Sequence, residues 1–269
     1  MIDTRQQIVV VRSKIVMIYL NGSIGSGKTS LTRYLSDDLG TKAFYEKVAD
    51  MPMLNKFYSA GEESRYELAF PLQVAFLNYR YKQLREGLYL AETQGMKNTV
   101  YDSSLLSDRL MAGNLYRTGQ FPQEEYDLYL DLAQSMQANV SGHPFTGYPD
   151  LVIYLDMSFD TMLEHIQERD RDMEKLDDDK VNYFHSVWEM YRNWATSYGD
   201  SAKVTIDMDE VDYVHSMADR IAVLEKIEEK LHSLTLLSTE ELEALKAKHE
   251  GMLISSAVAS SVNEKAVAK

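Results

Sequence analysis

Residues 22–29 read GSIGSGKT, which meets the phosphate-binding pattern G-x-x-x-x-G-K-[ST] at every required position. Glycines let the backbone curl so that successive N–H groups point at phosphate oxygens, and a helix starting there adds its dipole. Gly22, Ser23, Ile24, Gly25, Ser26, Gly27, Lys28, Thr29 and Ser30 are therefore the residues expected to cradle a triphosphate. Lys28 is placed to reach the β- and γ-phosphates, and the Thr29 hydroxyl to ligate Mg²⁺. A glycine turn between strand and helix, with no ligand, is the bland alternative, and the flanks argue against it. Before the loop, IVMIYL at 15–20 is a short apolar run of the buried parallel-strand type. After it, residues 30–39 carry Leu31, Tyr34, Leu35 and Leu39 on one helical face.

Two carboxylates occupy comparable places further along. Glu46 lies in AFYEKV at 43–48, read as a short strand end, and Asp102 follows the strand-like TVY at 99–101. In open parallel sheets a ligand sits at the carboxyl ends of the strands, which brings both acids beside the glycine loop. There a carboxylate can take a proton from an attacking hydroxyl or hold Mg²⁺ through water.

The elements that position these groups alternate as in an α/β nucleotide-binding fold. LVIYLD at 151–156 and KVTI at 203–206 read as further parallel strands. Helical patterns run over 64–92, with a break expected at Pro71, and over 105–117, 123–138, 158–171, 179–198 and 214–234. Ser158 is the expected N-cap of its helix. A charged helical pattern covers 239–250, and 251–269, rich in Ala, Ser, Val and Lys, reads as a frayed tail.

The chain has 269 residues and a formal net charge of −14, which argues against nucleic-acid binding through clustered Lys and Arg. Without any cysteine it has no disulfide, thiolate metal site or cysteine nucleophile. No apolar run approaches membrane-spanning length and no secretory leader is read at the N-terminus, so a cytoplasmic protein is expected. The six histidines show no metal-ligand spacing, and none is assigned. A P-loop alone does not choose a reaction. The absence of an N-K-x-D tetrapeptide lowers the GTPase alternative, and one compact domain leaves little room for a motor. What remains is a small phosphotransferase acting on a small molecule.

GSIGSGKTSLT at 22–32, LGTKAFYEKV at 39–48, FPLQVAFLNYR at 70–80, YDSSLLSDRL at 101–110, PDLVIYLDMSFDTMLEHIQERDRDMEKL at 149–176 and KVTIDMDEVDYV at 203–214 together resemble the deoxynucleoside kinase family. The similarity is to its bacterial deoxyadenosine/deoxyguanosine kinase branch and runs from about residue 15 to 234. It implies a three-layer α/β P-loop kinase with a central parallel sheet, a helical lid and a long helical hairpin. Residues 1–14 would be an N-terminal extension and 235–269 a helical or disordered tail. The implied reaction moves the γ-phosphoryl of Mg²⁺-ATP to the 5′-hydroxyl of a purine deoxynucleoside, in a homodimer or a heterodimer with a related subunit.

By the same resemblance Glu46 is the general base, and Gln73, Arg80 and Asp108 form the base pocket. Tyr58 and Glu174 bind the sugar 3′-hydroxyl, while Arg169 and Arg171 belong to the lid over the triphosphate. Arg169 joins Lys28 and Glu46 in the catalytic set, Asp209 and Tyr213 join the ATP-binding set, and Asp102 joins Thr29 at the metal. One departure stands out. The family places an arginine after the acid at the third strand, where this chain has Ser103 in Asp102-Ser103-Ser104. Arg109 is the compensating cation suggested by sequence. A deoxynucleoside monophosphate kinase and a nucleotide-binding regulatory subunit of low activity remain the alternatives.

Overall fold

Five short apolar runs pair into one all-parallel sheet in the computed structural model, which describes residues 16–46, 51–59, 62–140, 148–169 and 176–267. The strands are β1 (Val16–Gly22), β2 (Lys42–Phe44), β3 (Asn98–Tyr101), β4 (Leu151–Asp156) and β5 (Ala202–Asp207), in the order β2-β3-β1-β4-β5. Ile18 of the central strand faces Val100 on one side and Leu151 on the other. Strand β1 is buried along its whole length. Its alternation shows why: Val16, Ile18 and Leu20 enter one core, and Met17 and Tyr19 enter another on the opposite face. A parallel strand covered on both sides must be apolar at successive positions, which is how the sequence reads.

Helices supply those covers. On the first face, α1 (Lys28–Asp38), α6 (Phe159–Glu168) and α8 (Met217–Ser233) contribute Leu31, Leu35, Met162, Ile166, Val223 and Ile227. On the second, Leu84 and Leu88 of α3 (Glu62–Gln94) meet Phe44 and Tyr101. A third cluster joins α2 (Pro52–Ser59), α3, α4 (Leu105–Arg117) and α5 (Gln123–Val140) through Phe57, Leu72, Leu115 and Tyr129. Helix α7 (Asp178–Ser197) packs Val187 and Met190 on Tyr154. No helix among the described residues is long and apolar enough to cross a membrane.

Three expectations are corrected. Pro71 does not break α3, which runs through it for 33 residues. The lost backbone bond costs about 3 kcal/mol in an isolated helix, and burial of Ala69, Leu72 and Leu77 around it offsets that. Helix α8 starts at Met217 rather than 214, because Ser216 caps it by accepting from the Asp219 N–H at 3.2 Å. The third concerns the C-terminal stretch. Helix α9 (Thr239–Val267) is continuous through the stretch read as frayed, and Leu237 and Leu242 join the first core. The expected Ser158 cap is present, accepting from the Thr161 N–H at 3.2 Å.

Candidate active site

All five strands point the same way, so the segments leaving their carboxyl ends converge on one edge of the sheet. There the turn after β1, Glu46 after β2, Asp102 after β3 and Asp209 after β5 line one cleft of about 1260 Å³. The glycine loop closes with Gly27 in the left-handed region at φ 83°. A Cβ there would also lie 2.3 Å from the Tyr213 hydroxyl, so both conformation and space demand glycine.

Lys28 folds its ammonium into the loop, donating to the carbonyls of Gly22 at 2.8 Å and Ser23 at 2.7 Å and to Ser26 Oγ at 3.3 Å. Desolvation lowers its pKa to about 8, against the opposing pull of Asp102 and Glu46. Opposite it, Thr29 Oγ1 donates to Asp102 Oδ2 at 2.7 Å. Burial raises the Asp102 pKa in spite of that bond and of the nearby charges of Lys28 and Arg80. A hydroxyl beside a desolvated carboxylate is a hard-oxygen pair of the kind Mg²⁺ takes.

At the other end of the cleft, Gln73 and Asp108 are both buried, and Gln73 Oε1 and Asp108 Oδ2 have no hydrogen-bond partner. Buried polar atoms are rarely left so in native proteins, and two of them facing one cavity suit a ligand with complementary polar edges. Arg80 connects this end to the first. It is 1% exposed, pairs directly with Glu46, and its Nε lies 3.6 Å from Asp108 Oδ1. Burial works against its charge, but Asp108, Glu46 and Asp102 outweigh it and raise its pKa.

Burial also raises the Asp108 pKa to about 7, with Arg80 opposing and Glu46 adding to the rise. The unfolded chain titrates this group near about 3.9. The folded state therefore carries the cost of a buried anion above pH 7 and none of it below about pH 4. Asp108→Asn is expected to raise the unfolding midpoint at pH 8 by a few degrees, with the gain shrinking below pH 7 and gone near 4. Thermal melts of both proteins across that range check this. A lower midpoint at pH 8 would mean that attraction to Arg80 outweighs desolvation.

The cleft gathers most of the residues expected from the sequence. Gly22, Ile24, Gly25, Ser26, Gly27, Lys28, Thr29 and Ser30 line it with Glu46, Gln73, Asp102, Asp108, Arg169, Asp209 and Tyr213. Ser23 stands just behind and presents its carbonyl to Lys28. The Tyr213 hydroxyl donates to the Ser26 carbonyl at 3.4 Å, bracing the loop. The Asp209 carboxylate accepts the Ser158 N–H at 2.9 Å and ties β5 to the start of α6. Arg171 and Glu174 lie outside the described residues, as does the side chain of Tyr58.

Arg109 is not where compensation would need it. It lines a second cleft, with Tyr126 and Trp194, that shares no residue with the first, whereas Ser103 lines the first. Arg80 is the buried cation beside Glu46. The sequence reading also missed the apolar walls: Leu54, Phe57 and Phe76 line the cleft with Gln73, together with Tyr183 and Tyr191 from α7. Phe76 follows Gln73 at helical spacing, a signal that was available; the two tyrosines come from a helix over a hundred residues away and gave none.

The description "Deoxynucleoside kinase" belongs to the family pattern that matches residues 18–233. A deoxyguanosine kinase of Lactobacillus johnsonii is 38% identical over 220 residues, covering 81% of this chain and 93% of the relative. A deoxyadenosine kinase of Lactobacillus acidophilus is 35% identical, covering 82% of this chain and 98% of that protein. Among solved structures, deoxyadenosine kinase from M. mycoides with bound dCTP superposes with a TM-score of 0.62 at 24% identity, over 81% of this chain and 100% of the other, a likeness of fold. A P-loop, a sheet-edge carboxylate and a buried polar pocket in one cleft, under a pattern that spans most of the chain, have one conclusion: the protein belongs to the deoxynucleoside kinase family and is an ATP-dependent phosphotransferase.

Proposed function

We propose that the protein transfers the γ-phosphoryl group of ATP to the 5′-hydroxyl of a purine deoxynucleoside. The observation that carries this is the continuity of one cleft from Lys28, past Glu46, to the unpartnered polar atoms of Gln73 and Asp108. An amide that both donates and accepts, next to a carboxylate, matches the mixed edge of a purine. The relatives named deoxyguanosine and deoxyadenosine kinase support the purine class without choosing between the two bases.

In this reading the nucleoside lies with its base between Gln73 and Asp108 and its 5′-oxygen at Glu46. Glu46 takes the hydroxyl proton as the oxygen–phosphorus bond forms in line and the bond from Pγ to the β,γ-bridging oxygen breaks, releasing ADP. Arg80 fixes the Glu46 carboxylate from behind and ties its orientation to base binding through Asp108. Lys28, with Arg169 and Arg171 of the lid, meets the charge on the γ-phosphoryl oxygens. Tyr58 and Glu174 hold the 3′-hydroxyl, and Asp209 and Tyr213 border the ATP end. Thr29 and Asp102 would hold Mg²⁺, which supplies charge neutralisation between the β- and γ-phosphates. We extend the reading to a cytoplasmic protein and to a dimer, and light scattering checks the dimer.

The test is a panel of deoxyadenosine, deoxyguanosine, deoxycytidine and thymidine with ATP. A purine is expected to exceed thymidine at least about tenfold in kcat/KM, and Glu46→Gln to lose about 10²-fold or more in kcat with nucleoside affinity little changed. A thymidine preference, or turnover of monophosphates alone, would sink the assignment.

A further inference from the structure

Three buried side chains meet far from the cleft. Asp38 ends α1, Glu228 lies on α8 and His249 on α9. His249 and Glu228 are 0% exposed, and the Asp38 side chain 4%. His249 Nε2 lies 3.1 and 3.2 Å from the two Asp38 carboxylate oxygens and 3.7 Å from Glu228 Oε1. One ligand atom from each residue falls within 4.8 Å of the others. Neither Glu228 oxygen has a hydrogen-bond partner of good geometry, though both are buried and the Asp38 carboxyl lies close beside them.

We propose that Asp38, Glu228 and His249 bind a divalent cation of the zinc class, which clips α9 onto the helix that begins at the P-loop. Four arguments support this. The first is charge. Asp38, Glu228 and the flanking Glu225 bring three carboxylates to the cluster, and among the described residues the one lysine in direct contact with it is Lys248, 2.7 Å from Asp38 Oδ1. The second is geometry. Tetrahedral zinc with ligand bonds of about 2.0–2.1 Å sets its donor atoms about 3.3 Å apart. The distances from His249 Nε2 are within a few tenths of an ångström of that value.

The third argument is the outer contact. His249 Nδ1 makes no hydrogen bond, but Glu225 Oε1 lies 3.5 Å away, placed to orient the imidazole when its other nitrogen ligates. Lys248 holds Asp38 Oδ1 at 2.7 Å, which leaves Oδ2, 3.2 Å from His249 Nε2, as the Asp38 oxygen free to ligate. The fourth is donor chemistry. One imidazole with two carboxylates favours zinc over Mg²⁺ or Ca²⁺, which prefer all-oxygen sets. His249 lies beyond residue 233, where the family match ends, so the family pattern itself does not include this site. The sequence reading assigned no histidine to a metal because the three ligands come from three distant segments.

The rival occupant of the cluster is a single proton shared between Asp38 and Glu228. The test uses the full chain, stripped of metal by a chelator that is then removed, and without nucleotide. Zn²⁺ titrated calorimetrically is expected to bind at one equivalent through these ligands and to raise the unfolding midpoint saturably. Cobalt in its place is expected to show the intense visible bands of a four-coordinate ion. Glu228→Gln and His249→Gln should each weaken binding by at least about tenfold, and Glu225→Gln, outside the ligand set, by about 10- to 100-fold. Glu225→Gln keeps the test open should either ligand variant fail to fold, because it changes a partly exposed group. Absence of stoichiometric zinc binding overturns the proposal, as does binding unchanged in all three variants. A Glu228→Gln protein that melts higher, from a parent indifferent to zinc, assigns the cluster to the shared proton instead.

Discussion

Lys28→Ala is expected to lower kcat/KM for ATP by about 10³-fold while leaving the fold intact. The size follows from removing a preorganised cation aimed at the phosphoryl oxygens, where a single lost donor costs about 10²–10³ in rate and the lost charge adds to it. Retention of the fold follows from the sign of its pKa shift. The folded protein lowers the lysine to about 8, so below that pH the native state bears the cost of a desolvated ammonium. Removing the ammonium relieves that cost, and the midpoint should hold or rise. The same shift gives a pH signature. Because the charged form meets phosphate, wild-type kcat/KM for ATP should fall as pH rises through about 8, the value for the free enzyme. The residual activity of the variant should show no such limb. Steady-state kinetics from pH 6.5 to 9.5 with thermal melts check both; near-normal turnover in the variant would remove Lys28 from the site.

The frame of this site was legible because it is built from local patterns. The P-loop, the apolar runs of β1 and β4 and the Ser158 cap are each contained within a few consecutive residues, and each is found in place. Asp102 was legible because a carboxylate just after a parallel strand has few other places to go. Relations across the chain were not. Spacing put Gln73 and Arg80 on one face of α3, but not the contact between Arg80 and Glu46, 34 residues apart on separate elements. Arg109 was misjudged because adjacency in sequence is not adjacency in space on a helix: Asp108 enters the cleft while its neighbour, about 100° round the axis, lines another. Helix α9 reads as charged and weakly amphipathic, and only its docking on α1 and α8 shows why His249 is buried.

Arg80→Met is the second large expected loss, and it separates two ideas about the missing arginine at Ser103. Arg80 is the cation that pairs with Glu46 and faces Asp108, so its removal should cost twice. Stability above pH 7 is expected to fall by a few kcal/mol, because Asp108 must either stay a buried charge without its partner or take up a proton. Turnover should fall by about 10²-fold or more, because the Glu46 carboxylate loses what orients it. A second substitution tells these apart. Adding Asp108→Asn to Arg80→Met removes the stranded charge and should recover most of the stability but none of the turnover. If turnover returns with stability, the kinetic defect was unfolding and Arg80 has no part in positioning the base. Ser103→Arg completes the argument. Ser103 is buried at the lining of the cleft, and the space beside Glu46 already holds a guanidinium. A second one there brings like charges together, so Ser103→Arg should lower kcat in the wild-type background. In the Arg80→Met background the repulsion is gone and the new arginine can reach Glu46, so the same change should raise it. A rise in kcat from Ser103→Arg alone would mean that Arg80 does not stand in for the family's arginine.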